Sequence, residues 1–481
     1  MPERTSLQSA DFEVVDMLTA STLGVYLLLV VGVSTALLDG AAACSAWPTC
    51  GGELLVSPSD PLPHIVAWLH RVVVLLVGLL LAGTTIRTWL AKQRTPRRVR
   101  GALTTGLVLY PIQVAIGALT AGAGAPTALS AIHLVTAIVI FSSLLLALLW
   151  QLEFETPAEE SKPKPDPAPV VGPRPEVTDA ATAQTAAATA QPPGLVGRAR
   201  AYVALTKPKL WWLLCLVALA AMSIAGGRTL DPWTVAATLT GGVLAIGASG
   251  TFNNVLERDI DRQMDRTSDR PLVEGRISVR NAIAFGVFLT FVSAVVFVTL
   301  VNVLAAVLGM LAILFYSVGY TLVLKPNTTQ NIVLGGAVGA FPALIGWAAV
   351  TETVGIPAVV LGGVIFLWTP AHFYNLAMAY RDDYERAGFP MLPVVRGESV
   401  TRRHIMLYLG ATMLAAIVLG SHPHLDVVYA VTVAVVGGVF VWAVVKLFRE
   451  QDQHAAVRAF HTSNAYLGCL LVAIVLDTLV V

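Results

Sequence analysis

Apolar residues in this chain run in blocks of about twenty, set apart by short polar stretches, and a helix that crosses a bilayer needs about that many. Four such blocks come first, at 19–38, 64–86, 102–121 and 129–150. The composition then changes: 151–198 is rich in Pro, Ala, Thr and Glu, includes PKPDPAPVVGPRPE, and cannot bury a core, so it reads as an extended, mobile linker. Nine further blocks follow, at 210–225, 233–252, 282–301, 303–324, 332–350, 357–378, 405–419, 427–447 and 465–481. Only Asn302 separates the third of these from the fourth. The pattern predicts an all-α integral membrane protein of about thirteen transmembrane helices. It divides into a four-helix bundle over 1–150, a linker over 151–198 and a nine-helix domain over 199–481.

Charge sharpens this picture. Charged residues make up 13% of the chain, about half the share of an ordinary soluble domain, which excludes a soluble fold. A net charge of +1 supplies no basic field for nucleic acid. Glu3, Asp11, Glu13 and Asp16 precede the first apolar block, so that block reads as a retained spanning helix and not a cleaved signal. Lys92, Arg94, Arg97, Arg98 and Arg100 crowd one short loop, which the positive-inside rule places in the cytoplasm, whereas 39–63 has no Lys or Arg and falls outside. Counting helices forward puts the loops around Arg258, Lys325 and Arg381 on the cytoplasmic side of a cell membrane.

Two of those loops carry candidate chemistry. In 248–278, Asn253, Glu257 and Asp261 recur every four residues, on one face of a continuing helix. Oxygen donors so arranged suit Mg²⁺, which takes one or two carboxylates together with substrate phosphates. Arg266 and Arg270 follow at the same spacing, and an arginine can fork onto phosphate oxygens. A solvated loop laced with salt bridges accounts for the same charges. The second loop, 380–399, again mixes acid and arginine, and Asp382 or Asp383 could serve a second metal ion. Carboxylates on both sides of a diphosphate would neutralise a highly charged leaving group.

Longer strings carry a resemblance. LTKPK (205–209), NNVLERDID (253–261), RTSDRPL (266–272), YTLVLKPNTTQNIVLGGAVGAFPALIGWAAVT (320–351), WTPAHF (368–373) and DYERAGFPMLPVV (383–395) resemble, in order, the haem O synthases, a branch of the UbiA-type intramembrane prenyltransferases. The resemblance covers 201–481 and implies nine helices around a membrane cavity, with farnesyl diphosphate and protohaem IX as substrates. It implies Mg²⁺ at Asn253, Glu257, Asp261 and one of Asp382 and Asp383, and diphosphate contacts from Lys207, Arg266, Arg270, Lys325 and Arg381. An allylic cation would be attacked by a haem vinyl group and the product hydrated, with His372 binding haem or taking a proton from the incoming water. Haem A synthase or a terminal-oxidase assembly is the implied partner. Four positions depart from the pattern: Glu257 stands for Asp, Ala371 for Pro, and Arg386 and Ala387 fall where a second Asp is usual.

In the first four helices, Cys44 and Cys50 flank SAWPT in the outer loop, either as a disulfide or as two thiols. His70 and His133 each lie roughly 7–10 Å below that surface at the helical rise. A histidine within a span is a functional candidate, so the pair reads either as axial ligands of one haem or as cross-helix hydrogen-bonding groups. CSAWPTCGG (44–52), LHR (69–71) and AIHLVTAIVIF (131–141) resemble one half of a haem A synthase. That resemblance implies bound haem and a Cys44–Cys50 disulfide, but Ala67 occupies the position of the acid in the family's active half. Rival classes fare less well: a quinone or lipid prenyltransferase lacks WTPAHF, a transporter would show an inverted repeat, and a cytochrome leaves Asn253 to Arg270 without a role.

Overall fold

The computed structural model describes residues 3–44, 49–50, 55–57, 59–91, 94–124, 126–156 and 194–480. Most of the 151–198 linker, Lys92 and most of SAWPT lie outside them. Among the described residues there is no strand, and thirteen helices are long and apolar enough to cross a membrane. Their order matches the thirteen apolar blocks, with ends extended into the polar flanks: the block 233–252 becomes Pro232–Asp261, and 129–150 becomes Thr127–Glu155.

Local chemistry fixes the boundaries. Asp231, ahead of Pro232 at the first helical position, caps its helix by accepting from the Thr234 N–H at 2.8 Å. The one-residue break at Asn302 is equally specific. Its Oδ1 accepts from the Ala305 N–H at 2.8 Å, starting a new helix, while its Nδ2 donates to the Ala348 carbonyl at 2.8 Å. One asparagine thus both ends and restarts the apolar run 282–324, which composition otherwise leaves unbroken.

The chain packs as two units, Met1–Glu159 with Met406–Ala473, and Glu160–Ile405 with Ile474–Val481. The break after Glu159 falls within the 151–198 linker, whereas 406–473, part of the 199–481 stretch, groups with the first unit. In the first unit, α1 (Glu3–Leu37), α2 (Leu62–Leu90), α3 (Arg97–Gly122) and α4 (Thr127–Glu155) form a bundle. Buried hydroxyls link its helices: Ser21 Oγ meets Thr84 Oγ1 at 2.9 Å, and Tyr110 donates to the Val74 carbonyl at 2.6 Å. The later helix Val427–Glu450 packs on α1 and α4, with Tyr26 donating to the Val433 carbonyl at 3.2 Å and Arg449 paired with Asp16 at 2.6 Å.

In the second unit a short helix, α5 (Leu195–Leu205), precedes α6 (Trp211–Gly226), α7 (Pro232–Asp261) and α8 (Val279–Leu300). Next come α9 (Val303–Leu314), α10 (Ala337–Thr351) and α11 (Ile356–Ala379). Small residues let backbones close: a Cβ on Gly346 of α10 would collide with the Ala218 carbonyl of α6. After α9 the same span continues as a π-helix over Phe315–Leu324 before one last α-turn at Lys325–Asn327. Wide turns of this kind are rare and concentrate at functional sites.

Candidate active site

The C-terminal end of α7 supplies the first side chains. Asn253, Glu257 and Asp261 fall on one face, each 4% exposed or less. Each meets a cation brought by a different segment. Lys325, at the end of the π-helical span, donates to Glu257 Oε1 at 2.5 Å. Arg270, from the loop after α7, pairs with Asp261. Lys207, from the turn after α5, donates to Asn253 Oδ1 and lies 3.4 Å from the Tyr316 hydroxyl. Lys207 reaches this place through a left-handed backbone, φ 53°, just before Pro208. Such strain in a non-glycine residue persists only where its surroundings hold it, and it clusters at working sites. Gly250 makes the approach feasible, because a Cβ there would lie 3.1 Å from the Leu205 carbonyl and 3.3 Å from Lys207 Cγ.

The second acidic loop closes on the first. Arg381–Arg386 forms a short helix, α12, on which adjacent side chains point about 100° apart; Asp383 is 7% exposed while Asp382 faces outward. Asp383 Oδ2 accepts from the Arg266 backbone N–H at 3.2 Å, and its other oxygen is held by Arg386. Arg266 donates to the Tyr384 hydroxyl at 3.3 Å and lies over the rings of Tyr380 and Tyr384. The Lys325 ammonium sits 4.4 Å from the centre of the Phe389 ring. Of the sequence candidates, therefore, Lys207, Asn253, Glu257, Asp261, Arg266, Arg270, Lys325 and Asp383 come together at one end of this unit. Arg381 instead faces Glu398 at 3.6 Å, and Asp382 is solvent-facing. His372 lies seven residues before the end of α11, stacked on Trp368 at 4.2 Å.

Burial, reinforced by Arg270, pulls the Lys207 ammonium down to about 7, with Glu257 and Asp261 pulling the other way. Burial likewise raises the Tyr384 phenol, and Arg266 opposes it. Among the described residues no three His, Cys, Asp or Glu side chains converge as a ready metal cage. The donors are buried oxygens already balanced by cations, and this fits a hard ion that shares a diphosphate more than one held by protein alone.

An apolar cavity opens from this cluster, with Lys207 and Tyr316 at its polar end and Leu210, Leu239, Ala245 and Phe341 among its walls. Sequence reading missed Tyr316, Tyr320, Thr321 and Tyr384. The first three sit inside an apolar span, and the spacing 316, 320/321, 325 fits the π-turn better than the α-turn. Tyr384 sits in the loop 380–399, whose sequence pattern is dominated by its charges.

The first unit holds a second polar cluster. Cys44 and Cys50 are joined by a disulfide, their Cα atoms 4.7 Å apart, and Ala67 packs beneath them. Arg71 donates to the Thr49 and Cys44 carbonyls, both at 2.6 Å, tying the loop to α2. The Nδ1 atoms of His70 and His133 are each buried with no hydrogen-bond partner among the described residues. Gln113 Nε2 donates to the His133 carbonyl at 2.9 Å and approaches its Nε2 at 3.2 Å.

Acidic side chains and cations gathered at a helix end, above an apolar cavity within spanning helices, define a polytopic enzyme that handles a diphosphate bearing an apolar tail. The chain belongs to the UbiA prenyltransferase family, whose sequence model matches residues 214–467. That match runs on through Val427–Glu450, the helix that packs on α1. The chain is 55% identical over 463 residues to the protoheme IX farnesyltransferase of Haloarcula marismortui, covering 96% of this chain and 98% of that one. It is 55% identical over 468 residues to protoheme IX farnesyltransferase 1 of Natronomonas pharaonis, covering 97% and 98%. The protoheme IX farnesyltransferase of Leifsonia xyli subsp. xyli is 43% identical over 295 residues, which is 60% of this chain and 96% of that protein.

Proposed function

We propose that this chain transfers the farnesyl group of farnesyl diphosphate to a vinyl group of protohaem IX, with addition of water, yielding haem O and diphosphate. The observation that carries the reading is the junction at Lys207 and Tyr316, where the buried carboxylate–cation cluster meets the apolar cavity. A prenyl chain would lie in the cavity and its diphosphate at the cluster. Lys207, Arg266, Arg270 and Lys325 would hold the phosphate oxygens, and Asn253, Glu257, Asp261 and Asp383 would face Mg²⁺. Bound there, Mg²⁺ would supply neutralisation of the charge that gathers on the departing diphosphate.

In this scheme the C1–O bond breaks and diphosphate leaves with the electron pair. The vinyl π electrons then form the new C–C bond, and water captures the resulting cation and gives up a proton. The rings of Tyr316 and Tyr320, 5.7 Å apart, stand where positive charge develops, and an aromatic face favours a cation. His372 belongs to the acceptor side, as a haem ligand or as the base for the incoming water. We place this site on the cytoplasmic face of the cell membrane, following the basic loop between α2 and α3.

The reading assigns the transferase to 199–481 and an accessory role to 1–150. The Leifsonia relative, 96% of which aligns with 60% of this chain, has the extent of a transferase without such an accessory part. His70 and His133 would ligate one haem below the disulfide. The missing acid at Ala67 leaves this half to store, sense or hand on haem, with haem A synthase or a terminal-oxidase assembly as its partner. The test is pigment extraction from cells expressing the full chain. Farnesylated haem should appear, and Asp261→Ala at matched protein level should abolish it. Near-normal product from Asp261→Ala would overturn the site.

A further inference from the structure

Thr321 lies on the π-helical turn, wedged between the backbone of its own span and the first acidic motif. Its hydroxyl donates to the Tyr316 carbonyl, five residues back, at 2.9 Å. The same oxygen lies 3.0 Å from Asn253 Nδ2, which donates to it. A hydroxyl carries one hydrogen, and a carbonyl can only accept. The Thr321 hydrogen is therefore committed to Tyr316, and Thr321 can meet Asn253 only as an acceptor. That settles which end of the amide faces which way: the NH₂ turns to Thr321, and the oxygen turns to the Lys207 ammonium. A flipped amide would aim its NH₂ at an ammonium and offer no lone pair to a metal ion. The wide turn matters because it brings the residue five positions after Tyr316 over that carbonyl, where α-winding would bring the fourth.

We propose that Thr321 is a positioning residue for prenyl transfer: through the π-turn it locks Asn253 with the amide oxygen facing the diphosphate and its cation. This rests on the reading of Asn253 to Asp261 as the diphosphate site. Partners of this kind, one step behind a ligand, typically affect metal affinity or activity by about 10–100-fold.

The test uses the purified full chain with farnesyl diphosphate, protohaem and Mg²⁺, comparing Thr321→Val, which loses the hydroxyl but keeps the shape, with Thr321→Ser, which restores it. Thr321→Val should lower kcat/KM by about 10–100-fold, raise the Mg²⁺ concentration for half-maximal rate, and lose the Mg²⁺-dependent thermal stabilisation given by an unreactive thiodiphosphate analogue of farnesyl diphosphate. Thr321→Ser should stay within about threefold of wild type on all three. In an Asn253→Asp background the two oxygens are equivalent, so adding Thr321→Val should cost no more than about threefold. Should Thr321→Val fold poorly, as shown by its melting temperature without ligand, Thr321→Ala carries the same expectations. Wild-type behaviour of the hydroxyl-free variant, or an equal loss in the Asn253→Asp background, would overturn the proposal. A wild-type chain that transfers no prenyl group would overturn instead the reading beneath it.

Discussion

Gly242 offers a direct handle on the cavity. It lines the apolar wall, and a Cβ there meets nothing within 4 Å, so a side chain at this position would grow into the space meant for the prenyl tail. Along α7 it lies eight residues from Gly250 at the polar end, about 12 Å at the helical rise. An extended carbon chain advances roughly 1.25 Å per bond from ordinary bond lengths and angles, which puts the third isoprene unit of a farnesyl chain about 10–14 Å from C1. Gly242→Leu should therefore exclude that third unit and leave the first two in place. Five carbons at about 0.8 kcal/mol each are worth about 4 kcal/mol, or about 10³-fold. The assay is kcat/KM for farnesyl against geranyl diphosphate, with haem as acceptor. The farnesyl-to-geranyl ratio should fall by about two to three orders of magnitude. Gly241→Ala is the control: its Cβ would lie 2.9 Å from Phe297, away from the cavity, so it should lower stability and leave the ratio alone. A folded Gly242→Leu chain with an unchanged ratio would refute the placement of the tail.

Other expectations follow from the same geometry. Asp383→Asn should reduce haem O formation by orders of magnitude while the outward-facing Asp382→Asn stays near wild type, as measured by pigment analysis at matched expression; equal effects would show that burial does not mark the working carboxylate. His70→Ala and His133→Ala in the full chain should each remove a low-spin, six-coordinate haem spectrum, and a spectrum retained in both would leave that pair structural. A cysteine at position 266, in a background lacking the native cysteines, should react with an impermeant thiol reagent in inside-out vesicles only; labelling from the other face would reverse the topology.

Block length alone locates the thirteen spans, because bilayer thickness imposes one length on every crossing helix. The acidic motif was legible for a similar reason: a four-residue spacing places Asn253, Glu257 and Asp261 on one helical face whatever surrounds them. The choice between Asp382 and Asp383 was not, since it depends on how a six-residue helix is rotated by its packing. The π-turn left no trace in 303–324, where apolar side chains satisfy either winding, and Thr321 therefore looked like an ordinary small residue. Packing of the last spans against α1 was equally silent, for Tyr26 and Val433 meet across 407 residues and carry no matching pattern. Asn302 shows the reverse case, a single capping residue whose chemistry marks a boundary that hydropathy barely registers.

The central claim is tested most directly by incubating the purified, detergent-solubilised full chain with protohaem IX, farnesyl diphosphate and Mg²⁺, and following the haem product by mass. The account predicts a new haem heavier by one farnesyl group and one hydroxyl, formed in step with diphosphate release and abolished by chelating the Mg²⁺ or by Asp261→Ala. Diphosphate release with protohaem left unmodified, or transfer of the farnesyl group only to a non-haem acceptor, would contradict it.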